Sequence, residues 1–132
     1  MTIFQSLGIA GTGLTVYRKW LDAISDNIAN MNNVTRTSEN AFQARYVVAQ
    51  EAADGNGAQV GGVAYGSAEG ILTYDPANPL ADSEGYVRRP DIDLSSQMTQ
   101  LIMAQRGYQA NLAVVDRARD AYSAALQLGR NA

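Results

Sequence analysis

The stretch IFQSLGIAGTGLTVYRKWLDAISDNIANM, residues 3–31, carries apolar side chains at Ile3, Leu7, Ala10, Leu14, Tyr17, Leu21, Ile24, Ile28 and Met31. The steps alternate between four and three residues. That heptad seam is the spacing of an amphipathic helix packed lengthwise on a partner helix. Gly8, Gly11 and Gly13 weaken its first turns, at about 1 kcal/mol each against Ala. Asn27, Asn30, Asn32 and Asn33 crowd the far end, where Asn tolerates a left-handed cap.

A second seam follows Pro90. Asp93 is the expected N-cap, with Asp91 beside it on the positive end of the helix dipole. Leu94, Met98, Leu101, Tyr108, Leu112, Val115, Tyr122 and Leu126 keep the same stepping, interrupted by Gln105 and Arg119. Ala104, Ala118 and Ala125 flank the seam and allow close approach, and Gly129 is the expected C′ residue. Matching periods predict that the two helices pair. Ile9, Val16, Trp20, Ile102, Val114 and Leu128 nevertheless lie off both seams. A two-helix hairpin hides one stripe per helix, so these further stripes predict contacts with neighbouring subunits.

Between the helices the pattern changes. Residues 41–50 are enriched in β-branched and aromatic side chains and predict a strand, Asp54-Gly55-Asn56-Gly57 a turn, and Val60–Tyr65 a second strand. Ile71–Tyr74 and Tyr86-Val87-Arg88 predict two short extended pieces, and Asp75–Leu80, holding Pro76 and Pro79, an extended loop. The expected fold is mainly α with a small β insertion: an antiparallel coiled coil of N- and C-terminal helices plus a loop-rich central β segment. It is read as one structural domain, with an N-terminal helix at 1–33, a central β/loop segment at 34–92 and a C-terminal helix at 94–132.

Composition narrows the function. The 132 residues contain no His and no Cys, which removes imidazole and thiolate catalysis, disulfides and the common zinc sites. Net charge is −3, unevenly spread. Residues 1–38 carry +1, residues 39–93 set nine acids against Arg45, Arg88 and Arg89 for −6, and residues 94–132 carry +2. No segment has the dense Lys/Arg of a nucleic-acid footprint. No run reaches the ~18 apolar residues of a membrane span, and the start lacks the pattern of a cleaved signal peptide. Gly55, Gly57, Gly61 and Gly62 miss the dinucleotide spacing. Asn33-Val34-Thr35 matches a glycosylation acceptor only as a common triplet. Asp82, Glu84, Asp91 and Asp93 lack calcium-loop spacing and are read as helix-capping and solvated carboxylates. The reading is a non-enzyme with no cofactor and no metal, catalytic residues included in that absence.

Three motifs then carry a resemblance. Asp26-Asn27-Ile28-Ala29-Asn30-Met31-Asn32 resembles the S-x-N-[IL]-A-N-x-[ND] pattern of flagellar axial proteins, with Asn33 where many rod proteins have Thr. Residues 78–93, including Gly85, Tyr86 and Pro90, are similar to the N-P-x-A-[DN]-x-x-G-Y-V-x-x-P-[ND]-[VI]-[ND] stretch of proximal-rod proteins. Arg106-Gly107-Tyr108-Gln109-Ala110-Asn111 resembles their R-[AS]-Y-[EQ]-A-N motif, and residues 126–130 their short ending. The chain thus resembles the flagellar basal-body rod protein family, within it the proximal-rod, FlgC type.

The resemblance implies a structural subunit of the drive shaft, exported through the flagellar type III apparatus without signal cleavage and located in the basal body. It implies helical assembly with copies of itself and with the companion proximal-rod subunit, the base adaptor and the longer rod proteins. The expected packing residues are Leu7, Leu14, Leu21, Ile24, Ile28, Leu101, Tyr108, Leu112, Val115 and Leu126. Asn27, Asn30 and Asn111 are the polar candidates, able to satisfy backbone at a helix end or fix register in an apolar seam. The family-motif positions are Asn27, Ala29, Asn30, Asn32, Gly85, Tyr86, Pro90, Arg106, Tyr108, Ala110 and Asn111. The alternative is a soluble helical-hairpin binding module of the cell envelope, which would leave the extra stripes in water.

Overall fold

A computed structural model describes residues 2–132. Two long helices enclose a small β region. Helix α1 spans Ile3–Asn30, strand β1 Arg45–Glu51, β2 Ala58–Tyr65, β3 Ile71–Tyr74, β4 Tyr86–Arg89, and helix α2 Leu94–Arg130. The helices hold 28 and 37 residues, about half the chain, as the paired seams predict.

The caps explain where the helices begin. The Thr2 hydroxyl accepts from the Gln5 backbone N–H, and the Asp93 carboxylate accepts from that of Ser96 at 2.8 Å. The early glycines do not interrupt α1, which is continuous from Ile3. Gly129 lies inside α2 rather than beyond it: the left-handed glycines are Gly55, Gly57, Gly70 and Gly85, so α2 ends at Arg130 without a glycine cap.

The helices run antiparallel. Asn27 bonds Gln97, Trp20 Nε1 donates to Gln100, Tyr17 lies across Gly107, and Phe4 packs edge-on against Tyr122 at 5.4 Å. Helix α2 therefore outruns the start of α1 by its last eight residues, 123–130, about 12 Å at 1.5 Å per residue.

The β region forms two separate antiparallel pairs, β1–β2 and β3–β4. In the first, Val48 pairs Gly62 while Ala49 pairs Val60, so Gly61 is the extra residue of a bulge. The hairpin turn uses Gly55 and Gly57 at positive φ. Strand β1 starts at Arg45, later than the composition of residues 41–50 predicts. Ala41 and Ala44 are instead buried, and single backbone bonds join them to Ala68 and Gly66. The segment after β3 is folded rather than extended: Asn78 N–H donates to the Asp75 carbonyl and Ala81 N–H to that of Asn78, giving successive turns held by the Asp75 and Asn78 side chains.

The core is thin. Among the described residues the buried apolar side chains are Ala10, Val16, Ala23, Ile24, Ala41, Ala44, Val87 and Ala104. Only Ile24, Val16 and Val87 are larger than a methyl group, whereas 18 large hydrophobic residues are exposed. That imbalance is the reverse of a self-sufficient domain.

Candidate functional site

The contact line between the helices lies beside the predicted seam on α2, not on it. Its centre is built from Gln97, Ala104, Gly107 and Asn111, spaced to let the backbones come close. A methyl group on Gly107 would meet the Tyr17 ring, and one on Gly13 would come within 2.8 Å of the Asn111 amide oxygen. The small residues bring the helices together, and the large ones are displaced to one flank.

On that flank the antiparallel register puts Leu7 level with Val115, Leu14 with Tyr108, Leu21 with Leu101, and Ile28 with Leu94. Leu14 and Tyr108 line one hollow together with Gly11, Thr15 and Arg18. All but Leu94 are half-buried, while Leu94, Met98 and Leu112 stand exposed and continue the apolar surface to Leu126, which is 52% exposed. Of the ten expected packing residues, Ile24 is buried inside the subunit's own seam, and the other nine form this flank or its edge. What they build is a long, shallow, largely apolar strip.

The expected polar residues separate by role. Asn27 is almost fully buried and joins three elements. Its amide NH2 donates to the Arg45 carbonyl at 2.9 Å and to the Gln97 side-chain oxygen at 3.1 Å, while its oxygen accepts from the Arg45 N–H at 2.8 Å. It thereby pairs with the first residue of β1 as a neighbouring strand would, and ties α2 to the same point. Asp26 adds an ion pair to Arg45 at 2.7 Å, both partners half-exposed. Asn30 donates back to the Asp26 carbonyl, and Asn111 to that of Gly107. Ala29, Asn32, Arg106 and Ala110 are exposed.

Gly85 and Pro90 are buried at the two ends of β4. Gly85 has φ +85°, and a side chain there would press on Tyr74 and Pro76. Tyr86 meets Tyr74 edge-on at 5.3 Å. Asp82 organises this loop: its carboxylate accepts from Tyr86 N–H at 2.9 Å, Glu84 N–H at 3.0 Å and the Thr37 hydroxyl at 3.0 Å. The Tyr86 bond foremost holds its pKa below the ordinary carboxylate value.

Three positioning residues were not singled out in the sequence. Thr12 accepts from Ala58 N–H and donates to the Ile9 carbonyl at 2.6 Å, hooking the tip of the β1–β2 hairpin onto α1. Arg88 donates to the Glu69 and Thr37 carbonyls and exchanges backbone bonds with Thr35, fastening β3–β4 to the segment after α1. Gln97 is the buried partner of Asn27. A Thr or Gln on a helix gives no signal of this kind in one sequence. Among the described residues no group of three or more acidic side chains gathers to hold a metal ion, and no helix is long and apolar enough to cross a membrane.

Comparison with known proteins adds to this geometry. The family model described as flagellar basal body rod FlgEFG protein C-terminal matches residues 83–128, from the β3–β4 loop through most of α2. Over its length the chain is similar to the flagellar basal-body rod protein FlgC of Salmonella typhimurium, 35% identical over 134 residues that cover 98% of this chain and 100% of the relative. The FlgC protein of Bacillus subtilis is 28% identical over 150 residues, covering 98% and 100%. That of Borreliella burgdorferi is 28% identical over 149 residues, covering 97% and 98%.

Proposed function

Since the chain belongs to the FlgC family of flagellar basal-body rod proteins and is a structural subunit of that rod, we propose that it works by interlocking its apolar flank with neighbouring helices in the proximal rod. The observation that supports this most is the mismatch between core and surface: among the described residues, eight buried apolar side chains, five of them Ala, stand against eighteen exposed large ones. Burial of exposed apolar area yields about 25 cal/mol per Å², so this surface, to which the strip contributes Leu94, Met98, Leu112 and Leu126, has more to gain from neighbours than from the subunit's own hairpin. In the rod, Leu7, Leu14, Leu21 and Ile28 of one subunit, with Leu101, Tyr108, Leu112, Val115 and Leu126, lie in coiled-coil contact with helices of adjacent subunits. Ile24 holds the hairpin itself.

The mechanism is mechanical. Torque passes from subunit to subunit through packed side chains, and the central β segment faces outward. The partners are copies of this chain, the companion proximal-rod subunit, the base adaptor and the longer rod proteins, reached after export through the type III apparatus without cleavage of a signal. No catalysis and no cofactor enter this reading. The soluble binding-module alternative is not favoured, because its exposed stripes would stand in water.

Leu21→Asp tests it. The residue is half-buried on the flank, and a charge there opposes apolar packing in the assembly. The expected outcome is loss of motility and of rods in a strain whose own subunit is replaced by the variant. Motile cells with intact rods would count against the flank as the assembly surface.

A further inference from the structure

A second unfilled surface lies on the other side of α1, away from the apolar flank. The β1–β2 hairpin leans over α1, covering Val16 and Ala23, and hydrogen-bonds to it at its two ends, through Thr12 and Asn27. Between those ends run two adjoining hollows of about 190 and 270 Å³, both lined by Lys19 and Val60. Val16 and Ala23 line the helix side and Val47 and Val63 the strand side. Asp22, Asp26 and Arg45 stand at one end of this groove; Arg45 pairs with Asp26, the one ion pair formed among the described residues, which leaves Asp22 as the carboxylate without an ion-pair partner there.

The same chain carries an unpartnered end of matching character. Residues 123–130 of α2 extend past α1, and Leu128 is 73% exposed. Helical spacing sets Leu128 on one face with Ala121, Ala124 and Ala125, a large knob among small residues, and with Arg117 three turns earlier. Arg117 has no ion-pair partner among the described residues. From Leu128 to Arg117 is eleven residues and from Val16 to Asp26 ten, so both spans are about 15–17 Å at 1.5 Å per residue. An α2 end laid antiparallel on α1 would thus drop Leu128 into the hollow at Val16 and Val60 and bring Arg117 level with Asp26, about 6 Å past Asp22, a distance an arginine side chain spans to reach the Asp22 carboxylate.

We infer that the occupant of this groove is the free C-terminal end of α2 from a second copy of the chain, Leu128 seating beside Val16 and Val60 and Arg117 meeting Asp22. The inference rests on the rod-subunit reading and specifies one contact within it. Donor and acceptor are different surfaces of the molecule, so the contact is heterologous and each copy can receive one neighbour while entering another. It is separate from the apolar flank.

The absence of native cysteine makes the test clean. In cells where the chain replaces the resident subunit, a Val60→Cys/Leu128→Cys variant is oxidised and basal bodies are isolated. The expected result is a ladder of disulfide-linked multimers, reversed by reductant, with monomer alone from Tyr74→Cys/Leu128→Cys. Monomer from both variants, with each incorporated into rods, overturns the contact and leaves the rod reading intact. Failure of the unsubstituted chain to enter basal bodies overturns both. A second arm pairs Arg117→Glu with Asp22→Arg: each alone is expected to cut rod incorporation several-fold, and the double variant to restore most of it. Loss without mutual rescue counts against the assignment, and circular dichroism of each purified variant separates lost docking from lost folding.

Discussion

Asn27 shows how one side chain fixes the relation of three elements. Its buried amide serves the Arg45 backbone and the Gln97 side chain at once. Asn27→Ala therefore strands a backbone N–H and carbonyl as well as Gln97, and is expected to destabilise by about 2–3 kcal/mol, read by urea unfolding. Replacing both amides, as Asn27→Leu/Gln97→Met, is expected to remain destabilised. The Arg45 backbone still lacks a partner in that variant, unlike a simple side-chain pair, where removing both ends is nearly neutral. A neutral double variant would show that Arg45 finds water instead. Asp82 gives the residue-scale pH dependence. Its folded pKa lies below its unfolded value because Tyr86, Thr37 and Glu84 bond the charged form. The contribution is therefore present above the ordinary carboxylate range and lost as pH falls through the lowered value. The protection of the Tyr86 amide against exchange, relative to a free amide at the same pH, is expected to drop over that fall, and Asp82→Ala to show low protection at every pH. A flat profile in the unsubstituted chain would rule the carboxylate out as the loop's organiser.

At the scale of elements, identical residues have opposite roles according to what faces them. Gly8 has open space where a methyl group would go, and Gly107 has the Tyr17 ring. Gly8→Ala should gain the helix-propensity difference of about 1 kcal/mol. Gly107→Ala gains the same term but must displace a ring wedged between helices, an overpacking cost of about 1–3 kcal/mol. The expected result is a higher melting temperature for the first and an equal or lower one for the second. A rise for both would mean that the helices separate easily. Helix α1, all four strands, the Asp93 cap and the α2 start were legible in the sequence, because periodicity and caps act within a few residues. The contact face of α2 was not. Hydrophobicity ranks Leu94, Met98 and Leu112 above Gln97, Gly107 and Asn111, whereas close approach of two backbones selects small residues and one satisfied amide pair.

For the whole molecule, the thin core implies a subunit that completes its folding in company. Residues 119–130 of α2 are exposed throughout, and an isolated helix end of that length is marginal in water. Far-UV circular dichroism of dilute monomer should show fewer than the 65 helical residues of the structure, with the signal rising on assembly. A full helical signal from a stable dilute monomer would mean that the hairpin is self-sufficient and that neighbours add contacts, not order.

The sequence by itself determined two helices with matching seams, a β insertion between them and an excess of apolar stripes, since each of these is written in local spacing. It also carried the motifs of a rod subunit. Where each stripe goes was set by the packing of distant segments. Val16, expected to await a neighbour, is covered by the chain's own β1–β2 hairpin, because Thr12 and Asn27 hold that hairpin against α1. Val114 and Leu128 stay uncovered, because α1 is shorter than α2 and the close-packed line runs through Ala104 and Gly107. Local spacing fixes which residues share a face; which face meets another depends on steric fit between distant segments, and only the assembled chain sets that.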